Sequence, residues 1–395
     1  MRITIFGDIM CEPPVLKGAK TKTGDYDFSY VFEKIRGITA GADYVIGNLE
    51  FPMAGEAVKY TDTYYIFNAP DAYAKAAKEA GFDLISVVNN HTLDRGFEGL
   101  VRTLQVLDDA GLAHTGAFAS KEEREEACYF EVGGVRFALV AYTYSTNKKL
   151  SREDPRNDCI NYLRCPWSPT YTPEVSARMR TWVDKKFPKW KQEHRAVLKK
   201  LLGMPPTIVR PDDYLDVEAT KPYLDKLLAD IKAAKEKADF VICYPHVGGQ
   251  FNREPGKLSV HVMEQILAAG ADAVFASHSH TVQKAFYHGK VPCAYCMGNF
   301  NMDASSPIVI KEALPDFGLA FHLNFEGSTL TGVTYSVTKS VWQKGKLVTW
   351  PVADLYQTLK TEVQRQQLEA EVREVCKVVS GAHLTENIIR GEYPL

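Results

Sequence analysis

Residues 87–96 read VVNNHTLDRG. An apolar run ends there at Asn89, Asn90 and His91, with Asp94 three residues further on. Such side chains ligate metals or move protons. Comparable groups stand just past other short apolar runs. Asp8 follows ITIF, Asn48 and Glu50 follow YVIG, His246 follows FVICYP, and His278 and His280 follow AVFAS. Carboxylate oxygen, amide oxygen and neutral imidazole are all ligands for Zn²⁺, Mn²⁺ or Fe²⁺. No cysteine joins them, which disfavours a purely structural zinc site. A carboxylate that bridges two cations holds them about 3.5–4 Å apart, a spacing suited to attack by an activated water on phosphorus or a carbonyl carbon. Singly, each residue has a plainer explanation: Asp8 could cap a turn, and Asn89 and Asn90 are good turn formers. Together they make a metal-ligand set, which independent turn residues need not do.

The apolar runs that precede these groups read as buried strands: RITIFGD, ADYVIGNLE, FDLISVVNNH, VRFALVAYTY, ADFVICYPH, ADAVFASHSH and VPCAYCMGNF. Between them lie helical patterns such as APDAYAKAAKEAG, GLVRTLQVLDDAG and VHVMEQILAAG. The last two stop at Gly111 and Gly270, just past a helix end. This alternation argues for a layered α/β fold. Sites in such folds assemble beyond the C-terminal ends of the strands. Ser145 to Pro222 interrupts the rhythm with charge, proline and aromatics, and reads as an insertion with helices over Glu174–Phe187 and Lys189–Leu202. A helix over Tyr223–Ala238 leads back to the core. After Asp303 the pattern turns to β-like alternation and ends in a helix over Leu355–Val379.

The totals exclude some classes. The 395 residues carry a formal net charge of -2, with 45 % hydrophobic and 24 % charged residues. No global field exists to hold nucleic acid. The basic run DKKFPKWKQEHRAVLKK is spaced like a solvated helix face. The eight cysteines are scattered, several within apolar runs, and read as reduced buried thiols. The single CxxC, Cys293 and Cys296, sits in a strand-like stretch whose residues three apart face opposite ways. His114, His194, His261, His288, His322 and His383 have no motif context. Tyr64 and Tyr65 could stack on substrate or simply pack. No stretch has the length to span a bilayer, and MRITIFGD lacks a leader pattern, so the expected location is cytoplasmic.

The constellation resembles the calcineurin-like metallophosphoesterase superfamily, and more closely its capsule-synthesis (CapA, poly-gamma-glutamate synthesis) branch. The matching pieces are GDIM at 7–10, GNLEFP at 47–52, NNHTLDRG at 89–96, HVGGQ at 246–250, SHSHTVQ at 277–283 and MGNF at 297–300. The resemblance implies a metallophosphatase-like β-sandwich flanked by helices, with residues 1–303 as the main unit, the insertion at about 145–222 within it, and residues 304–395 completing the same fold. It implies two divalent metal ions. Asp8 and His280 would hold one, Glu50 would bridge with Asn48 beside it, and Asn90, His246 and His278 would hold the other. His91 resembles the general acid of the superfamily, oriented by Asp94, and Asn299 would line the site.

Two departures from the pattern stand out. The superfamily has Asp-x-His in its first motif, whereas Met10 occupies the histidine position here. The capsule branch has a glutamate where Gln250 stands, with Glu254 nearby as a substitute. Two functions therefore remain open. One is a metal-dependent hydrolase of a phosphoester, or of an amide in a polyglutamate-like or peptidoglycan-like polymer. The other is a non-catalytic accessory protein that binds an anionic polymer, or a protein partner through the insertion. A nuclease is disfavoured by the near-neutral charge.

Overall fold

The structure, a computed structural model, describes residues 1–168, 186 and 211–395. Two mixed sheets lie face to face. The first runs in the order β13 (Lys346–Pro351), β12 (Thr329–Gln343), β11 (Phe317–Glu326), β1 (Arg2–Ile9), β2 (Tyr44–Leu49), β3 (Leu84–Ser86) and β4 (Ala113–Thr115), with a short terminal strand, Tyr393–Pro394, against β12. The second runs β5 (Cys128–Val132), β6 (Val135–Thr143), β7 (Phe240–His246), β8 (Ala273–Phe275), β10 (Val291–Ala294) and β9 (Ala285–His288). β1 and β7 are buried almost throughout, which is why they read as unbroken apolar runs rather than as alternation.

Aromatic rings fill the space between the sheets. Phe325 meets Phe137 and Phe240 at centroid distances of 5.2 and 5.0 Å, and Phe275 meets Phe321 at 4.8 Å. Outside the second sheet, Leu224, Leu227 and Ile231 of the helix Val217–Lys237 and Val262 and Ile266 of the helix Lys257–Ala268 cover Val140, Val241 and Val274. Outside the first sheet, Phe32, Phe82 and Phe300 pack round Phe6, with Phe32 and Phe300 5.3 Å apart. The molecule is thus a layered α/β sandwich with helices on both outer faces. β11 pairs antiparallel with β1 (Ile3 opposite Leu323) while β2 pairs parallel on its other side (Ile3 opposite Tyr44). The C-terminal strands therefore complete the sheet begun by the first nine residues.

Several elements differ from the sequence expectation. β3 is only Leu84–Ser86, and the chain leaves the sheet before Val87. The helix expected from Tyr223 begins six residues earlier at Val217, because the Asp216 carboxylate caps it by accepting the Ala219 N–H. Pro222 lies within its second turn rather than before its start. The C-terminal helix is two, Val352–Thr358 and Glu362–Ser380, divided where Thr361 and Gln364 form a reciprocal capping box. The strand through the CxxC ends at Ala294, before Cys296, and all eight cysteines are free. His322 is a structural histidine, held between the Thr4 and Ser336 hydroxyls at 2.9 and 3.0 Å. The helices expected over Glu174–Phe187 and Lys189–Leu202, and the basic run, lie outside the described residues apart from Lys186. Among the described residues, no helix is long and apolar enough to cross a membrane.

Candidate metal centre

Each site residue stands where a strand releases the chain. Asp8 lies near the end of β1, where its N–H donates to Gly298 O at 3.2 Å and its carbonyl accepts from Phe300 N at 2.8 Å. This approach requires Gly7: a Cβ there would fall 2.1 Å from Gly298 O. Asn48 sits opposite Asp8 in the parallel ladder, and Glu50 follows directly, its N–H bonded to Ile9 O. Beyond β3 the chain folds into a tight polar turn. Asn89 N–H donates to the Thr92 hydroxyl and His91 N–H to Asn89 Oδ1. His246 is the last residue of β7, bridged to Ser277 beyond β8. His278 and His280 both adopt left-handed backbone, φ 102° and 54°. Such strain in non-glycine residues persists only where the surroundings enforce it. Here the His278 N–H is tied to Asp8 Oδ2 at 3.0 Å, and Phe251 N–H is bonded to the carbonyl of Ser279 between them.

The side chains converge into two overlapping groups. Asp8, Glu50 and His280 form one and Glu50, His246 and His278 the other, each with a set of ligand atoms all within 4.8 Å of one another. Glu50 Oε1 lies 3.6 Å from both His246 Nε2 and His280 Nε2. Asp8 Oδ2 is 3.7 Å from His280 Nδ1, and Asp8 Oδ1 is 3.8 Å from His246 Nδ1. Asn90 Oδ1 faces His246 Nε2 at 2.7 Å. Second partners orient the rings. His280 Nδ1 is 2.8 Å from Asn299 Oδ1, and His246 Nδ1 is 2.8 Å from the Ser277 hydroxyl. Asn299 in turn donates to the His280 and Pro315 carbonyls. Asn48 has both ends of its amide engaged: its nitrogen donates to Asp8 Oδ1 and its oxygen accepts from Asn89. It thereby ties Asp8 to the turn that carries Asn89.

Whether these residues suit a cation is answered by what they lack. Both oxygens of Glu50 and both ring nitrogens of His278 are buried without a hydrogen-bond partner among the described residues. Buried polar atoms are rarely left so. Burial pushes the Glu50 carboxyl well up, and the neighbouring Asp8, Asp94 and Glu12 carboxylates add to this. Burial and the adjacent imidazoles push His246 and His278 well down, and burial lowers His280, so the rings are neutral near pH 7. Neutral imidazoles around crowded carboxylates form a donor set short of positive charge, and a divalent metal ion fits it.

His91 and Asp94 stand beside this set. His91 Nδ1 is 2.6 Å from Asp94 Oδ2, which also accepts from Phe67 N–H at 2.7 Å. The Phe67 ring lies 4.4 Å from the imidazole, and His91 Nε2 points to Glu50 Oε1 at 4.0 Å. One ring nitrogen is therefore held by a carboxylate, and the other faces the metal-ligand set.

The structure brings Asp8, Asn48, Glu50, Asn90, His91, Asp94, His246, His278 and His280 into one buried cluster. Met10 is buried, with its backbone N–H and carbonyl both bonded to Asn301, and provides no nitrogen to replace the histidine of the first motif. Gln250 is half-buried and Glu254 exposed, and among the described residues neither side chain makes a hydrogen bond or ion pair. Of the supporting residues, the sequence pointed to Asn89, the first of two adjacent asparagines at a strand end, and to Asn299. Ser277, Tyr144 (ring 4.5 Å from His278) and Asn147 (N–H to Asn90 O at 2.6 Å) carry no signal in their own segments.

Comparison with known proteins gives a consistent picture. The family described as bacterial capsule synthesis protein PGA_cap matches residues 2–304. The capsule biosynthesis protein CapA of Bacillus anthracis is 24% identical over 342 residues, covering 84% of this chain and 66% of that protein. The PGA biosynthesis protein CapA of Bacillus subtilis (strain 168) is 23% identical over 330 residues, 83% of this chain and 69% of that one. An uncharacterized protein of Sinorhizobium fredii, y4sH, is 26% identical over 292 residues, 70% of this chain and 61% of its own. The chain thus spans about two thirds of the length of the curated relatives it matches. A crystal structure of a hypothetical protein from Thermus thermophilus aligns over 86% of this chain and 99% of its own, at 18% identity and a TM-score of 0.44. With the family profile running from the second residue through the last of the strand-end motifs, the chain belongs to the bacterial capsule synthesis protein (PGA_cap) family, of the metallophosphoesterase-like superfamily.

Proposed function

We propose that the protein is a metal-dependent hydrolase with phosphoesterase-like chemistry, acting on a phosphoester or on an amide of an anionic polymer. The observation that carries this is the pair of ligand groups sharing Glu50, whose two oxygens lack partners, with the His91 imidazole 4.0 Å away. Asp8, Glu50 and His280 would hold one divalent ion, and Glu50, His246, His278 and Asn90 a second, drawn from Mn, Zn or Fe. Bound there, the ions supply Lewis acidity and a more acidic water. The chain's own residues do the rest. Asp94 accepts from Nδ1 and orients the ring, so that a second proton, carried on Nε2, can be delivered to the leaving group. Phe67 covers one face of the imidazole. Residues 304–395 act as part of the same unit, a reading supported by the β1–β11 pairing. The eight free cysteines favour a reducing, cytoplasmic setting.

A second reading is an accessory protein that retains the fold and binds an anionic polymer without turnover. Met10 at the motif histidine and the exposed Glu254 favour it. Metal content per chain and turnover of a generic phosphodiester separate the two, measured for wild type, His91→Ala and His246→Ala/His278→Ala. The hydrolase reading expects about two ions per chain, lost in the double variant, and turnover lost in His91→Ala while its metal is kept. Metal uptake with no turnover of any phosphodiester or glutamyl amide leaves the accessory reading. No uptake of Mn²⁺, Zn²⁺ or Fe²⁺ sinks the hydrolase.

A further inference from the structure

A second cavity, of about 300 Å³, lies outside the metal centre, between the 152–167 segment and the first turns of the helix Val217–Lys237. Its lining carries two cations, Arg152 and Lys226, three carboxylates, Glu153, Asp154 and Asp158, and three aromatic rings. Tyr162, Trp167 and Tyr223 form its broad walls, and Arg152 and Lys226 reach into the same space. The Arg152 guanidinium stands over the Trp167 ring, 5.6 Å from its centroid.

Among the described residues, neither cation has a carboxylate partner. Two of the three lining acids are already paired, and the third, Glu153, is exposed, as is Arg152. Asp154 is held by Arg156 at 2.8 Å and Asp158 by Lys121 at 2.8 Å. Asp230, the buried acid on the Lys226 helix, takes Arg124 at 2.5 Å and the Tyr142 hydroxyl. Burial and the nearby Arg124 guanidinium disfavour the charged form of Lys226, so an arriving anion would relieve an existing cost.

The cavity also adjoins the metal centre through the chain. The Tyr162 hydroxyl is 3.1 Å from the Thr146 hydroxyl, and the next residue, Asn147, donates its N–H to Asn90 O at 2.6 Å. The Asn147 side-chain nitrogen lies 3.4 Å from His91 Nδ1. One wall of the cavity and one edge of the acid-bearing turn are thus fastened to the same two residues.

We propose that this cavity is a subsite for an anionic group, a carboxylate or a phosphate, on a flexible chain whose neighbouring unit reaches His91. Lys226 and Arg152 would bind the charge, and Trp167 and Tyr223 would pack on the stem. The link to His91 rests on the hydrolase reading above, whereas the anion binding does not.

The test is calorimetric titration of the full chain with tetraglutamate and, separately, with inorganic tripolyphosphate. Wild type and Lys226→Met/Arg152→Gln are compared at low and moderate salt. At least one probe should bind wild type, with Kd raised about tenfold or more in the double variant, as expected for lost charge-assisted hydrogen bonds. Binding should weaken with salt, and an unshifted thermal midpoint shows that the double variant is folded. The probe that responds distinguishes carboxylate from phosphate. Failure of both probes to bind wild type, or equal affinity in the double variant, overturns the subsite. Absence of turnover of both phosphodiester and glutamyl amide alongside variant-sensitive binding would refute the hydrolase reading and leave the subsite standing. Intact turnover with variant-insensitive binding would do the reverse.

Discussion

Replacing Glu12 with glutamine should flatten the dependence of stability on pH. Glu12 is fully buried four residues after Asp8. Its Oε2 accepts the Asp303 N–H at 2.8 Å, while Oε1 has no partner among the described residues. Burial, with a smaller contribution from the Asp303 carboxylate, raises its pKa from 4.5 to about 8. The sign follows from where the proton sits. Between these values the folded chain keeps a proton that the unfolded chain has lost, so this group's contribution is full below pH 4.5 and is lost as pH rises through about 8. Each tenfold change in proton affinity is worth about 1.4 kcal/mol, so the interval sets a ceiling of about 4–5 kcal/mol. A glutamine cannot titrate, yet its amide oxygen can still accept the Asp303 N–H. Urea unfolding of wild type and Glu12→Gln, each measured at about pH 5 and about pH 8, gives the difference. Wild type should lose more stability than the variant over that range. Equal losses would show that Glu12 is not buried as a neutral acid, and would refute the reasoning from burial.

Other consequences can be measured separately. Asp94→Asn should lower phosphodiester turnover by about 10²–10⁴-fold with metal content unchanged, because the imidazole loses the carboxylate that fixes its tautomer; kcat and elemental analysis on one preparation check this. Gly7→Ala should destabilise the fold by about 1–3 kcal/mol or more, read as a lowered Tm, since its methyl would meet the Gly298 carbonyl oxygen. Cys293 and Cys296, whose thiols burial pushes up to about 12, should resist a thiol-labelling reagent at neutral pH until the protein is denatured. His278→Ala should reduce the rise in Tm that added Mn²⁺ or Zn²⁺ gives the wild type, because it removes a ligand of one of the two groups and leaves Asp8, Glu50 and His280 in place.

The strand-end residues were legible because buried parallel strands are continuous apolar runs, and a polar cluster at the end of such a run is conspicuous. That logic located Asp8, Asn48, Glu50, Asn90, His91, Asp94, His246, His278 and His280 without knowledge of which strand neighbours which. It could not find residues whose role depends on distant contacts. Ser277 matters because β7 and β8 are adjacent, and Glu12 because Asp303 returns beside it 291 residues later. Element ends failed where side-chain capping outweighed composition. Pro222 suggested a break, yet the Asp216 cap starts the helix before it. The smooth periodicity of 355–379 hid the stop before Thr361.

The placement of β1 between β2 and β11 has a consequence for synthesis. Asp8 leaves the ribosome long before the residues that hold it, since its backbone is gripped by Gly298 and Phe300 and its strand is completed by residues 317–326. A nascent chain therefore cannot finish the centre until residues 317–326 have been translated. Pairings so far apart in sequence form slowly. The carboxylates and imidazoles must remain exposed on an unfinished sheet in the meantime. Acquisition of any metal is on this view a late event in the life of the chain, and translation stalled before about residue 326 should yield protein that binds none.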